Sequence, residues 1–281
     1  MLEWFGTNAR DLPWRSPRTS PWEVLVSEVM LQQTPVARVD TTYRAWVRRW
    51  PTPGSLAQAP AAEAIRAWGR LGYPRRAVRL HAAARIIATE HGDSVPTSVD
   101  SLRTLPGVGE YTAAAVAAFA FGQRVAVLDT NVRRVLARAY AGEAAPRPHL
   151  THAERSMAAE LLPADPARAA RWSAAVMELG ALVCTAANPS CADCPLRGRC
   201  AWVAAGRPES LVPRRRQPFV GTDRQVRGLL MDVLRDADSP VTRSRLDQVW
   251  HDPVQRHRAL SGLLEDGLAE LDDQGGYRLP R

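Results

Sequence analysis

Three features of the sequence carry chemistry. Four cysteines fall within seventeen residues, spaced Cys184-x6-Cys191-x2-Cys194-x5-Cys200. In a chain with no secretory signature, thiols so close together read as metal ligands rather than disulfide partners. Zinc and a four-iron cluster both take four thiolates, and the spacing alone leaves the two open. The second feature is Glu28, set among Val24, Leu25, Val29, Met30 and Leu31. Burial there would favour the protonated acid and raise its pKa. The third is Asp129, which follows the apolar run Val125–Leu128 and precedes a helix starting near Thr130. A carboxylate at that point caps the helix, and it also stands where a ligand could meet it.

The stretch Leu105-Pro106-Gly107-Val108-Gly109 supplies a place to hold a polyanion. Its two glycines permit a turn with free amides at Gly107, Val108 and Gly109, next to a helix N-terminus that suits a phosphate. All 37 basic residues are arginine. A lysine Schiff base is therefore impossible, and a Walker-type phosphate loop lacks its lysine. The net charge of +8 and pI near 10.1 favour a polyanionic partner. Arg197 and Arg199, inside the last cysteine gap, give that loop a basic edge that could meet a phosphate backbone.

These residues need helices to position them. Apolar periodicity predicts helices from near Trp22, over Ala37–Trp50, Ala61–Trp68, Arg75–His91, Ser98–Leu105 and Glu110–Phe121, then near Thr130–Tyr140, Thr151–Leu162 and Pro166–Val183. Pro51–Pro60 reads as a connector, Gln32–Pro35 as an element end, and Gly69–Arg76 as a glycine-punctuated basic turn around Tyr73. No strand signal precedes residue 268, so the fold class is all-α. At 281 residues the chain accommodates two domains and a small appendage. No apolar run approaches the ~20 residues of a membrane span, and a cytoplasmic protein is expected. After the basic linker 214–221, helices at Thr222–Arg235, Arg243–Trp250 and Pro253–Asp266 precede strands at Leu268–Leu271 and Tyr277–Leu279. That order over 222–281 suggests a small winged-helix-like module.

The hairpin, Asp129 and the cysteine loop together resemble the helix-hairpin-helix DNA glycosylases over roughly residues 4–213. The resemblance implies a [4Fe–4S] cluster on the four cysteines. It also implies a six-helix barrel over about 22–130, with the N-terminal segment and 131–213 forming the cluster domain. Within the superfamily, Ser27-Glu28-Val29-Met30-Leu31-Gln32-Gln33-Thr34, Pro13-Trp14-Arg15 and Leu128-Asp129-Thr130-Asn131 look like the MutY adenine glycosylases. Endonuclease III carries a lysine two residues after the second hairpin glycine, where this chain has Tyr111.

The resemblance implies a monofunctional enzyme that flips adenine out of A:8-oxoguanine or A:G mispairs in double-stranded DNA. Glu28 would protonate the base and Asp129 would meet the charge on the sugar, with Asn131 and Tyr111 in support. Arg10, Trp14, Arg15 and Leu31 would bind the substrate. Gln33, assisted by Leu31 and Gln32, would wedge into the duplex. Thr34, Tyr73, the hairpin amides, Arg197 and Arg199 would make further DNA contacts. A monomer in a bacterial, nucleoid-associated cytoplasm is expected. Pro74, Thr130 and Ala174 depart from the family's usual tyrosine, glycine and Gln/Glu, and no Nudix-like domain follows residue 213. An endonuclease III-like or mismatch thymine glycosylase and a non-catalytic DNA-binding protein are the alternatives.

Overall fold

The computed structural model describes residues 1–210 and 219–281; the arginine run of the expected linker lies outside the described residues. In chain order the helices are α1 (Leu2–Asn8), α2 (Pro21–Leu31), α3 (Val36–Arg49), α4 (Pro53–Ala57), α5 (Ala61–Trp68), α6 (Arg75–Glu90), α7 (Val99–Arg103), α8 (Glu110–Phe121), α9 (Thr130–Ala139), α10 (His152–Glu160), α11 (Pro166–Leu182) and α12 (Ala201–Ala204). Then come α13 (Asp223–Arg235), α14 (Arg243–Asp247), α15 (Pro253–Glu265) and an antiparallel ribbon, β1 (Glu270–Leu271) with β2 (Tyr277–Arg278). No helix among the described residues is long and apolar enough to cross a membrane.

The chain forms two compact units. One comprises Met1–Val24, Thr97–Arg103 and Val108–Arg214. Its core joins α9 to α11 through Val132, Val135 and Leu136 against Val176, Leu179 and Val183. Local caps set these helices: Asp165 accepts the Arg168 N–H at the start of α11, and Thr151 with Glu154 closes a capping box on α10. Helix α8 buries every residue from Thr112 to Ala118. A helix apolar on all sides belongs in an interior. It ends at Gly122, whose φ of 64° lets the Gln123 N–H turn back to the Ala117 carbonyl.

The other unit comprises Leu25–Pro96, Thr104–Gly107 and Arg215–Arg281. Its core is built on Trp46 and Trp68, which meet edge to face at 5.6 Å, with Leu56, Ile65, Leu80 and Ile87 fully buried around them.

Three expectations need correction here. The connector Pro51–Pro60 contains α4, because Thr52 and Ser55 cap each other reciprocally ahead of Pro53. Helix α14 stops at Asp247 rather than Trp250; the Trp250 indole N–H turns instead to Gln255 on α15. The first ribbon strand begins at Glu270 rather than Leu268. Gly267 (φ 65°) closes α15, and the Leu268 N–H is spent on the Leu263 carbonyl at 2.9 Å.

Candidate active site

In the second unit, α2 carries Glu28 with only 5% of its surface exposed, among the buried Leu25, Val26, Val29 and Met30. The helix ends in a turn where Gln33 is exposed and left-handed, with φ of 56°. Tyr73 is the second such residue, at φ 49° and 47% exposed. Non-glycine residues in this region are held there at a cost, by surroundings that over-determine them. Here the surroundings include one side chain, the buried Arg76 at the start of α6. Its guanidinium donates to the carbonyls of Val29 (3.1 Å), Met30 (2.9 Å) and Gln32, to the Thr34 hydroxyl (2.8 Å) and to the Gly72 carbonyl (2.9 Å). Burial pulls its pKa down to about 10.

Thr34 is thus buried and turned to Arg76, while Gln32 donates to the Gly107 carbonyl at 3.3 Å. Sequence reading passed over Arg76. Its signal is a lone arginine four residues before Leu80, on the apolar face of α6.

The hairpin glycines serve different ends. Gly107 needs its φ of 82°, and a Cβ there would come within 3.0 Å of Arg79 Cβ. Gly109 is extended and exposed, and a Cβ on it would meet open space. As the N-cap of α8 it offers no side chain to the first-turn amides. Val108 between them is buried. Tyr111 is half-buried and packs beside Ala115, Ala118 and Val127.

In the first unit, Asp129 caps α9: its Oδ1 accepts the Val132 N–H at 2.6 Å and its Oδ2 accepts the Asn131 amide at 2.9 Å. Burial pushes its pKa up, against those hydrogen bonds and the charge of Arg134. The network continues. Arg134 donates to Asn131 Oδ1 (2.7 Å), to the Gly180 carbonyl (2.6 Å) and to the Cys184 carbonyl (2.7 Å). Gly180 on α11 packs directly on Asn131: an added Cβ would sit 2.7 Å from Asn131 Cβ and 2.8 Å from its carbonyl oxygen. Gly180→Ala is therefore expected to overpack the α9–α11 contact and cost about 1–3 kcal/mol. Chemical denaturation measures this, and an unchanged midpoint would contradict it.

Arg10 and Arg15 converge on a residue that sequence reading missed. Glu178 on α11 has no exposed surface. Arg10 grips it with Nε (2.7 Å), Nη2 (2.8 Å) and its own backbone N–H (2.9 Å), and Arg15 adds Nη2 at 2.9 Å. Burial alone would raise the carboxyl; the hydrogen bonds from Arg10 and Arg15 outweigh it and hold Glu178 at about 2. Trp14, between the two arginines in sequence, is buried.

All four cysteines line one small cavity, together with Arg138, Val183, Pro189, Arg197, Trp202 and Val203. Arg138 on α9 stacks 4.6 Å from the Trp202 ring, approaches Cys184 Sγ at 3.4 Å and donates to the Thr185 carbonyl at 2.7 Å. Burial pushes the Cys194 thiol up, and the three neighbouring cysteines add to this against a backbone hydrogen bond from Leu196. Among the described residues, no three His, Cys, Asp or Glu side chains converge tightly enough to hold a single metal ion. Arg197 and Arg199 are exposed at the rim.

Residues 26–160 match the family model described as HhH-GPD superfamily base excision DNA repair protein. An adenine DNA glycosylase of Mycolicibacterium smegmatis is 56% identical over 280 residues, covering 99% of this chain and 94% of that one. A thermostable thymine-DNA glycosylase structure superimposes with a TM-score of 0.65 at 29% identity, covering 73% of this chain and 93% of its own. An endonuclease III–DNA complex reaches 0.62 at 23% identity, covering 73% and 92%, and speaks to the fold alone. The fold, the cysteine loop and a relative matched over nearly its whole length lead to one conclusion: the chain belongs to the HhH-GPD superfamily of base excision DNA repair proteins and, within it, to the MutY-type adenine DNA glycosylases.

Proposed function

We propose that the protein removes adenine paired with 8-oxoguanine or guanine in duplex DNA, hydrolysing the N-glycosidic bond without cutting the strand. The observation that carries this reading is the pair of desolvated carboxyls, Glu28 and Asp129, in a chain whose relative of similar length is an adenine DNA glycosylase. A base stacked in a duplex is out of reach, so the nucleotide must be extruded at a cost of a few kcal/mol (roughly). Gln33 fills the gap left in the stack. Tyr73, the hairpin amides and the exposed Arg197 and Arg199 hold the backbone, which positions the enzyme without reading sequence.

Adenine is a poor leaving anion. Glu28, kept protonated by its apolar setting, gives its proton to N7, and the C1′–N9 bond breaks with the electron pair leaving on the neutral base. Positive charge is left on the sugar. Asp129, already hydrogen-bonded and oriented by Val132 and Asn131, stabilises that charge or bonds to C1′, and water completes the hydrolysis. Tyr111 stands where a lyase would hold its lysine, and with no lysine in the chain no lysine Schiff base forms. Arg10, Trp14, Arg15 and Leu31 complete the pocket for the base, with Glu178 holding both arginines in place.

The cysteines fit a [4Fe–4S] cluster better than zinc. A single tetrahedral zinc needs its sulfurs drawn within about 2.3 Å of one point, whereas these four surround a shared cavity without such convergence. The cluster would fasten the loop whose Cys184 carbonyl holds Arg134, and about four irons per chain are expected in purified protein.

The likeness to a thymine-DNA glycosylase structure gives the alternative a specific footing. Single-turnover excision on duplexes holding A opposite 8-oxoguanine, A opposite G, and T opposite G separates the readings. Release of adenine from the first two, with no borohydride-trapped complex, is expected. Preferential release of thymine would overturn the reading.

A further inference from the structure

Residues 222–281 take no part in the steps above, and their charge argues against a second grip on DNA. They hold eleven carboxylates and nine arginines, against 18 and 28 in residues 1–221. On the winged-helix reading, α15 would be the helix that enters a groove. Its arginines are already engaged within the module: Arg256 with Asp247 at 2.7 Å and Arg258 with Asp223 at 2.6 Å. On the ribbon, Arg278 pairs with Glu270 at 2.8 Å.

The remaining links run to one short turn of the same compact unit. Arg70 pairs with Asp232 at 2.9 Å and Arg75 with Asp266 at 3.1 Å. Arg66 donates to the carbonyls of Arg235 (3.2 Å) and Ala237 (3.1 Å), at the C-terminal end of α13 where carbonyls carry partial negative charge. These three arginines bracket Gly69–Pro74, in which Gly69, Gly72 and Tyr73 all have left-handed φ values of 54°, 85° and 49°. From within, the turn is held by the Trp68 indole on the Gly72 carbonyl (3.0 Å), by Arg38 on the Arg70 carbonyl, and by Arg76. Tyr73 itself stays exposed at the tip. A turn with so many unfavourable dihedrals keeps its shape only while its surroundings enforce it.

We propose that residues 222–281 are an intramolecular brace: they fix the turn that presents Tyr73 to DNA, and do not bind DNA themselves. The proposal rests on the reading of Tyr73 as a DNA contact. Its test uses the full chain in two variants. Asp232→Asn/Asp266→Asn removes the module's side of both ion pairs, and Arg66→Met removes the helix-end contact from the other side without touching the module's own pairs. In hydrogen exchange without DNA, residues 69–76 should exchange roughly five- to tenfold faster in both variants, as expected for losing one or two exposed contacts. Residues 40–65 should not change.

Removing two carboxylates should, by charge alone, tighten duplex binding rather than weaken it. Slower single-turnover excision at undiminished affinity is therefore the signature of lost positioning. That slowing should disappear in a Tyr73→Ala background, because the two changes act through one element. Unchanged exchange at 69–76 in Arg66→Met, or slowing that persists in full without Tyr73, would overturn the brace. The exchange arm involves neither DNA nor catalysis, so it can fail while adenine excision stands, and the reverse.

Discussion

Asp129→Asn is expected to lose adenine excision by about a hundred- to a thousandfold, the usual cost of removing a group aimed at developing charge. The protein should remain folded and bind duplex as before. Asparagine caps helices as well as aspartate does, and its Oδ1 can still accept the Val132 N–H that Asp129 now takes at 2.6 Å. The fold should even gain slightly. Burial raises the Asp129 pKa, so the ionised form is held at a cost to the native state above that pKa, and a neutral amide relieves it. A thermal midpoint at or above wild type, with excision largely gone, would mark Asp129 as a residue kept for chemistry at the expense of stability. Single-turnover kinetics and a melting curve on the same preparation test both halves. Wild-type excision by this variant would contradict its assignment.

The second large effect concerns Glu178. Glu178→Ala strands Arg10 and Arg15 beside an emptied, fully buried site, which should cost about 3–5 kcal/mol. The pH dependence follows from the depressed pKa. Its folded value near 2 lies below the model value of 4.5, so the carboxylate's contribution is fully present above about 4.5 and is lost as pH falls through about 2. With Glu178 fully buried, a shift of that size corresponds to about 3 kcal/mol. Denaturation midpoints of wild type and Glu178→Gln should therefore be far apart at neutral pH and converge towards pH 2. Parallel curves across that range would show that Glu178 is not the group responsible. Arg10 and Arg15 would lose their fixed orientation in either variant, so excision should fall as well.

Some of this was open to sequence reading because the signal was local. Helices α5 and α8 begin and end where Pro60 and Gly69, and Gly109 and Gly122, punctuate the chain. The cysteine spacing and the apolar company of Glu28 were equally plain. Helix α4 was hidden because two of its five residues are Pro and Gly, and only the reciprocal Thr52–Ser55 cap betrays it. The supporting residues were hidden for a different reason. Glu178 finds its arginines 163 and 168 residues away, and Arg76 its carbonyls more than forty residues away. No composition window spans such distances. Read alone, Arg10 and Arg15 look like free cations for a substrate; in the fold, both guanidiniums are committed to Glu178 and act from there. The hairpin too is sharper in the structure: Gly107 is required by its backbone, while Gly109 leaves open space beside the first amides of α8.

The central claim is that Glu28 supplies the proton that lets adenine leave. Glu28→Gln keeps the size of a side chain that is 5% exposed and removes only its acidity. On a duplex holding A opposite 8-oxoguanine, single-turnover excision should fall by about a hundred- to ten-thousandfold, the range for a lost general acid. Duplex affinity, measured alongside, should remain within a few-fold of wild type. Excision by Glu28→Gln at the wild-type rate would contradict the account.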